Sequence, residues 1–128
     1  MPEPYRAVLK AHPESIGQAR SCIAAAFAQW ELDDYIARLV VSELATNAIT
    51  HACGDSIVVR VERNGDGSVT VEAWDNEPGS APLLRSPNLE ASSGRGLRLI
   101  ENLVREWGWR PLPNKAGKVV YAVLEASE

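Results

Sequence analysis

The residues of this sequence whose types and spacing suit chemistry lie in the stretch Leu39 to Ala52, LVVSELATNAITHA. Glu43, Asn47 and His51 recur every fourth residue, so on a helix they stack along one face. A carboxylate and a carboxamide oxygen one turn apart are hard oxygen donors. Mg²⁺ accepts such partners while keeping most of its coordination for water and nucleotide phosphates. The pair points to a phosphoryl-transfer site. The same spacing also occurs on helices whose polar face only meets solvent, so the rest of the chain has to decide between the two.

Two later stretches bear on that choice. Asp75 falls at the end of a strand-like run, just before a long loop, where a sheet fixes the backbone and the side chain can point into a pocket. A carboxylate there can accept a hydrogen bond from an exocyclic amine such as that of adenine; it also suits the start of a turn, and Gly79 fits either role. Further on, Gly94-Arg95-Gly96-Leu97 precedes a helical pattern. Two glycines ahead of a helix let backbone N–H groups approach an anion at the positive end of the helix dipole, with Ser92 and Ser93 as further donors. The alternative there is a flexible hinge leading into an N-cap.

The elements that must position these residues follow from periodicity. A short extended segment spans Tyr5 to Lys10. Pro13 and Glu14 then open a helix with Ile16, Ala19, Ile23, Phe27 and Trp30 on one apolar face. Asp33 or Asp34 caps a second helix, in which Ile36, Leu39, Val40 and Leu44 form the apolar stripe and Gly54 marks the end. From Ser56 the period changes to two: Ile57, Val59 and Val61, then Val69, Val71 and Ala73 across Asn64-Gly65-Asp66-Gly67, predict a β-hairpin. Prolines, glycines and serines from Asp75 to Ser93 predict a loop, of a length that is usually functional or mobile. A third helix carries Leu97, Ile100, Leu103, Val104 and Trp107, and Trp107 is expected in the core because it continues that stripe. Trp107 to Arg110 and Lys118 to Leu124 read as a closing hairpin. The order predicts an α+β two-layer sandwich, with a mixed, mostly antiparallel sheet covered on one face by three helices.

Length and charge narrow the function classes. At 128 residues the chain is one domain's worth, so a single domain over residues 1–128 is expected. A net charge of −4, with 13 basic residues scattered among 17 acidic ones, argues against direct nucleic-acid binding, which needs clustered Lys and Arg. It leaves room for a nucleotide, which backbone amides, a metal and a few side chains can hold. No basic flank precedes an apolar run at the start and no apolar stretch is long enough to span a bilayer, so a cytoplasmic, non-membrane protein is expected. Cys22 and Cys53 have no CxxC or Cys/His partner set and read as buried, reduced thiols.

Taken in order, SELATN on a helix, Asp75 at a strand end, a variable loop, GRGL opening a helix and a final GKVVYAVL strand resemble the Bergerat-type ATP-binding fold of gyrases and histidine kinases. The closest likeness is to the small ATP-binding regulators related to anti-sigma factor serine/threonine kinases, over about Ser15 to Leu124. The resemblance implies ATP and Mg²⁺ as cofactors, Glu43 as the general base, Asn47 as the Mg²⁺ ligand, Asp75 as the adenine reader, and Gly94, Arg95, Gly96 and Leu97 in the lid over the phosphates. Gly79 then belongs to the adenine-side box and His51 is a helix-end residue. It further implies phosphorylation of a serine on an antagonist protein, sequestration of a sigma factor, and a homodimer.

Two positions depart from the family pattern. The adenine-side box, usually D-x-G-x-G, reads Asp75-Asn76-Glu77-Pro78-Gly79, and a threonine that helps to anchor adenine from the last strand is matched by Val119. These departures motivate an alternative expectation, a non-catalytic, nucleotide-sensing protein-binding module with a degenerate ATP site.

Overall fold

The computed structural model describes residues 4–51, 54–76, 101–112 and 117–125. Its elements run β1 (Tyr5–Lys10), α1 (Ser15–Gln29), α2 (Tyr35–His51), β2 (Ser56–Arg63), β3 (Val69–Asp75), β4 (Glu106–Pro111) and β5 (Lys118–Leu124). Residues 101–103 are also helical. The strands form one sheet in the order β1-β2-β3-β5-β4, and every pairing in it is antiparallel.

Period-two burial turns Ile57, Val59 and Val61 of β2, Val69, Val71 and Ala73 of β3, and Val120, Ala122 and Leu124 of β5 toward the helices, where they join one core with Ile23, Phe27, Val40 and Leu44. Helix α1 packs on β1 and α2, and α2 lies over β2, β3 and β5. The turn between β2 and β3 closes through Asn64 N–H to the Ser68 carbonyl at 2.8 Å, with Gly67 at φ 91°. Helix α1 ends in a Schellman pattern: Leu32 N–H donates to the Phe27 carbonyl at 2.9 Å, and Glu31, at φ 58°, takes the left-handed position usually given to glycine. Asp33 Oδ1 accepts the Tyr35 N–H at 2.8 Å and so caps α2.

Three expectations about packing need correction. Leu39 is 43% exposed. The face α2 turns inward is instead Ala37, Val40, Val41, Leu44, Ala45, Asn47 and Ala48, whose small side chains allow the helix to sit close on the sheet. Leu103, expected on the apolar face of the third helix, is 41% exposed. Trp107 does pack against the core, yet from β4, opposite Ala122, because the helical residues stop at 103. Cys22 is half-buried and free, and burial pushes its thiol up from the usual range; Cys53 lies outside the described residues.

The face of the sheet away from the helices is polar yet largely covered by its own side chains. Glu72, 4% exposed, accepts from Trp74 Nε1 at 2.7 Å and Arg110 Nη2 at 3.1 Å and pairs with Arg60 at 3.5 Å. Arg6 lies over the Trp74 ring and Arg110 over the Tyr121 ring.

Candidate functional site

Helix α2 brings Asn47 to its inward face between Leu44 and Ala48, leaving the side chain 1% exposed. Neither Oδ1 nor Nδ2 has a hydrogen-bond partner among the described residues. Burying a carboxamide unpaired costs about 1–3 kcal/mol, so such a group calls for a ligand. The hydroxyls on the neighbouring line of the helix are not in this state: Ser42, Thr46 and Thr50 each donate to the carbonyl four residues back, at 2.8, 2.6 and 2.7 Å. Glu43, one turn before Asn47, is half-buried, and burial pushes its carboxyl above the ordinary glutamate range.

Asp75 closes β3 on the inward face. The connection after α2 brings the two elements to the same end of the sandwich, since a Cβ on Gly54 would overlap the Asn76 side chain. Asn47, one turn from the end of α2 at His51, is therefore at the Asp75 end. A cleft lined by Phe27, Tyr35, Ile36, Ala37, Leu103 and Leu124, with Asp33 and Glu125 beside them, lies at the other end of α2 and does not include these residues.

The Asp75 carboxylate meets a cation that the sequence reading missed. Lys118 stands directly opposite in register on β5, and its Nζ lies 3.2 Å from Oδ2 and 3.3 Å from Oδ1. The two side chains are 1% and 0% exposed. This pairing corrects the match of Val119 to the adenine-anchoring position. Val119 pairs with Trp74 and Arg110, one residue out of phase, and so faces the other side of the sheet. A signal for Lys118 was present: it shares the parity of Val120, Ala122 and Leu124, which the alternation places in the core.

Gly117 fixes how closely β5 starts against β3. A Cβ there would overlap the Asp75 carbonyl oxygen and come within 2.8 Å of the Asn76 Cα, both backbone atoms that cannot swing aside. Gly117→Ala is expected to destabilise the fold by about 1–3 kcal/mol through overpacking, read as a lower urea midpoint at unchanged slope. An unchanged midpoint would show that the β3–β5 junction gives way easily.

Gly79, Gly94, Arg95, Gly96 and Leu97 lie outside the described residues, as does Glu77. Among the described residues no cluster of three His, Cys, Asp or Glu side chains forms a metal cage. Asn47 alone supplies one hard oxygen. That suits Mg²⁺, which is commonly held by one or two protein oxygens together with phosphate and water.

A profile of the histidine kinase-like ATPase domain matches residues 9–124, nearly the whole chain. The chain belongs to this family. Among solved structures, that of the RsbU and RsbW domains of Rv1364c from Mycobacterium tuberculosis is similar with a TM-score of 0.68 at 22% sequence identity. The match covers 99% of this chain and 33% of that one, so this chain spans about a third of the length of that relative, and at this identity the likeness is one of fold. No curated protein sequence matches significantly. Within the histidine kinase-like ATPase domain the sheet carries Asp75 and Lys118 and the inward face of α2 carries Asn47, with Glu43 one turn earlier.

Proposed function

We propose that the protein binds ATP with Mg²⁺ and regulates a partner protein, by phosphorylating a serine on an anti-sigma factor antagonist and sequestering a sigma factor. The observation that carries this reading is the buried, unpartnered carboxamide of Asn47 one turn from Glu43, at the same end of the layer as Asp75. Bound ATP·Mg²⁺ supplies the transferable γ-phosphoryl group. Asn47 Oδ1 would hold the metal and Asp75 would receive the base. Gly94, Arg95, Gly96 and Leu97 would serve as the phosphate lid and Gly79 as part of the adenine-side box, as in the family pattern; all five lie outside the described residues. Glu43 accepts the proton of the attacking hydroxyl. Because its carboxyl is raised by burial rather than lowered by a cation, it is a better base than a solvated glutamate. The mechanism is otherwise positioning and charge neutralisation.

The test is a thermal-shift titration of ATP with and without Mg²⁺, repeated for Asn47→Ala. The wild type should gain stability with ligand concentration, by about 2.7 kcal/mol at a hundredfold excess over Kd, and Asn47→Ala should lose the Mg²⁺-dependent part. No shift at millimolar ATP would remove the nucleotide from the reading.

The Asp75–Lys118 pair favours a second reading, a nucleotide-sensing module that binds its partner without phosphoryl transfer. Calorimetric ATP binding with no radiolabel transfer to any cognate antagonist would select it.

A further inference from the structure

We propose that Lys118 sets the nucleotide affinity of this site, because its ammonium holds the Asp75 oxygens that an adenine amine would use. The inference rests on the reading of Asp75 as the base-recognising residue. Three observations carry it. The Nζ donates to Oδ1 at 3.3 Å and lies 3.2 Å from Oδ2, so the ammonium faces both carboxylate oxygens while its hydrogen bond goes to Oδ1. Both side chains are almost wholly withdrawn from solvent, at 1% and 0% exposed, so no water-facing edge of Asp75 is left for a base to approach. The contact is held by the backbone: the two residues are direct partners in the antiparallel register of β3 and β5, and Gly117 packs on the Asp75 main chain immediately before Lys118.

Binding of the base is then an exchange. The neutral exocyclic N–H of adenine must replace a charge-assisted donor at the Asp75 carboxylate. A site built this way holds Asp75 ready in the folded state and binds the nucleotide more weakly than the same site without the lysine.

Calorimetric titration of wild type, Lys118→Met and Lys118→Thr with Mg²⁺·ATP, adenosine and inorganic tripolyphosphate tests the proposal. Both variants should melt at a lower temperature without ligand. They should bind ATP and adenosine about tenfold or more tightly than wild type, the scale of one hydrogen bond to a charged group, with tripolyphosphate affinity unchanged. Folded variants that bind ATP no more tightly than a binding-competent wild type would overturn the inference and leave the nucleotide reading standing. A change confined to tripolyphosphate would overturn it by assigning Lys118 to the phosphates. Failure of all three proteins to bind any of the probes would take down both. If the variants do not fold, the ¹⁵Nζ resonance of Lys118 in the wild type decides: saturating ATP should shift it, and an unmoved signal overturns the proposal.

Discussion

Replacing Asp75 with alanine is expected to cost the fold about 3–5 kcal/mol, although Asp75 sits at a strand end beside a long loop, where substitutions are usually mild. The reason is the partner left behind. Lys118 has a side chain that is 1% exposed, and removing the carboxylate strands its ammonium in the interior. Desolvation of a buried ion is only offset by a partner in good geometry, so losing one member costs far more than the pair itself contributes. The double replacement Asp75→Leu with Lys118→Met should recover most of the loss, because two apolar side chains of similar volume remove both charges together. Urea unfolding of the two single variants and the double variant closes the cycle. A loss under about 1 kcal/mol for Asp75→Ala would show that the Lys118 ammonium does not depend on Asp75 for its stability in the interior.

The second large effect falls on chemistry. Glu43→Gln is expected to lower phosphoryl transfer to a cognate antagonist by about 10²- to 10⁴-fold, the range for a general base, while keeping the shape of the side chain. Stability should move the other way, by at most about 1 kcal/mol given how much of Glu43 still meets solvent. Burial raises the folded-state pKa, so folding favours the protonated form. The stabilisation it brings is fully present below the unfolded value of about 4.3 and fades as pH rises through the folded value. The wild type should therefore lose stability relative to Glu43→Gln over that window as pH increases. Transfer by the wild type should rise over the same window, as the base ionises. Denaturant midpoints and initial rates for both proteins across weakly acidic to neutral pH check this. Retained transfer in Glu43→Gln would assign the base elsewhere.

The pair Glu43 and Asn47 was legible because both residues lie on one helix, where spacing in sequence is spacing in space. The chemistry of Asp75 was only half legible. A carboxylate before a loop can be read from the chain, but its counter-ion, 43 residues away, cannot. Matching the last strand to a family pattern placed Val119 beside Asp75, and a slip of one residue in a strand reverses the face. The backbone register puts Lys118 there instead.

Local order along the chain was enough to determine the two long helices and the five strands, since the periods of 3.6 and 2 are written into the apolar residues themselves, but it carried the third helix on to Trp107, which lies in β4. It also determined the two-layer class, because strands with one apolar face need helices to cover them. Tertiary structure alone decided that the sheet runs β1-β2-β3-β5-β4, that α2 buries Asn47 without a partner among the described residues, that Leu39 faces outward, and that a lysine is held under the sheet by an aspartate. Each of these depends on which distant segments meet and in what register, and that is set by how the whole core packs.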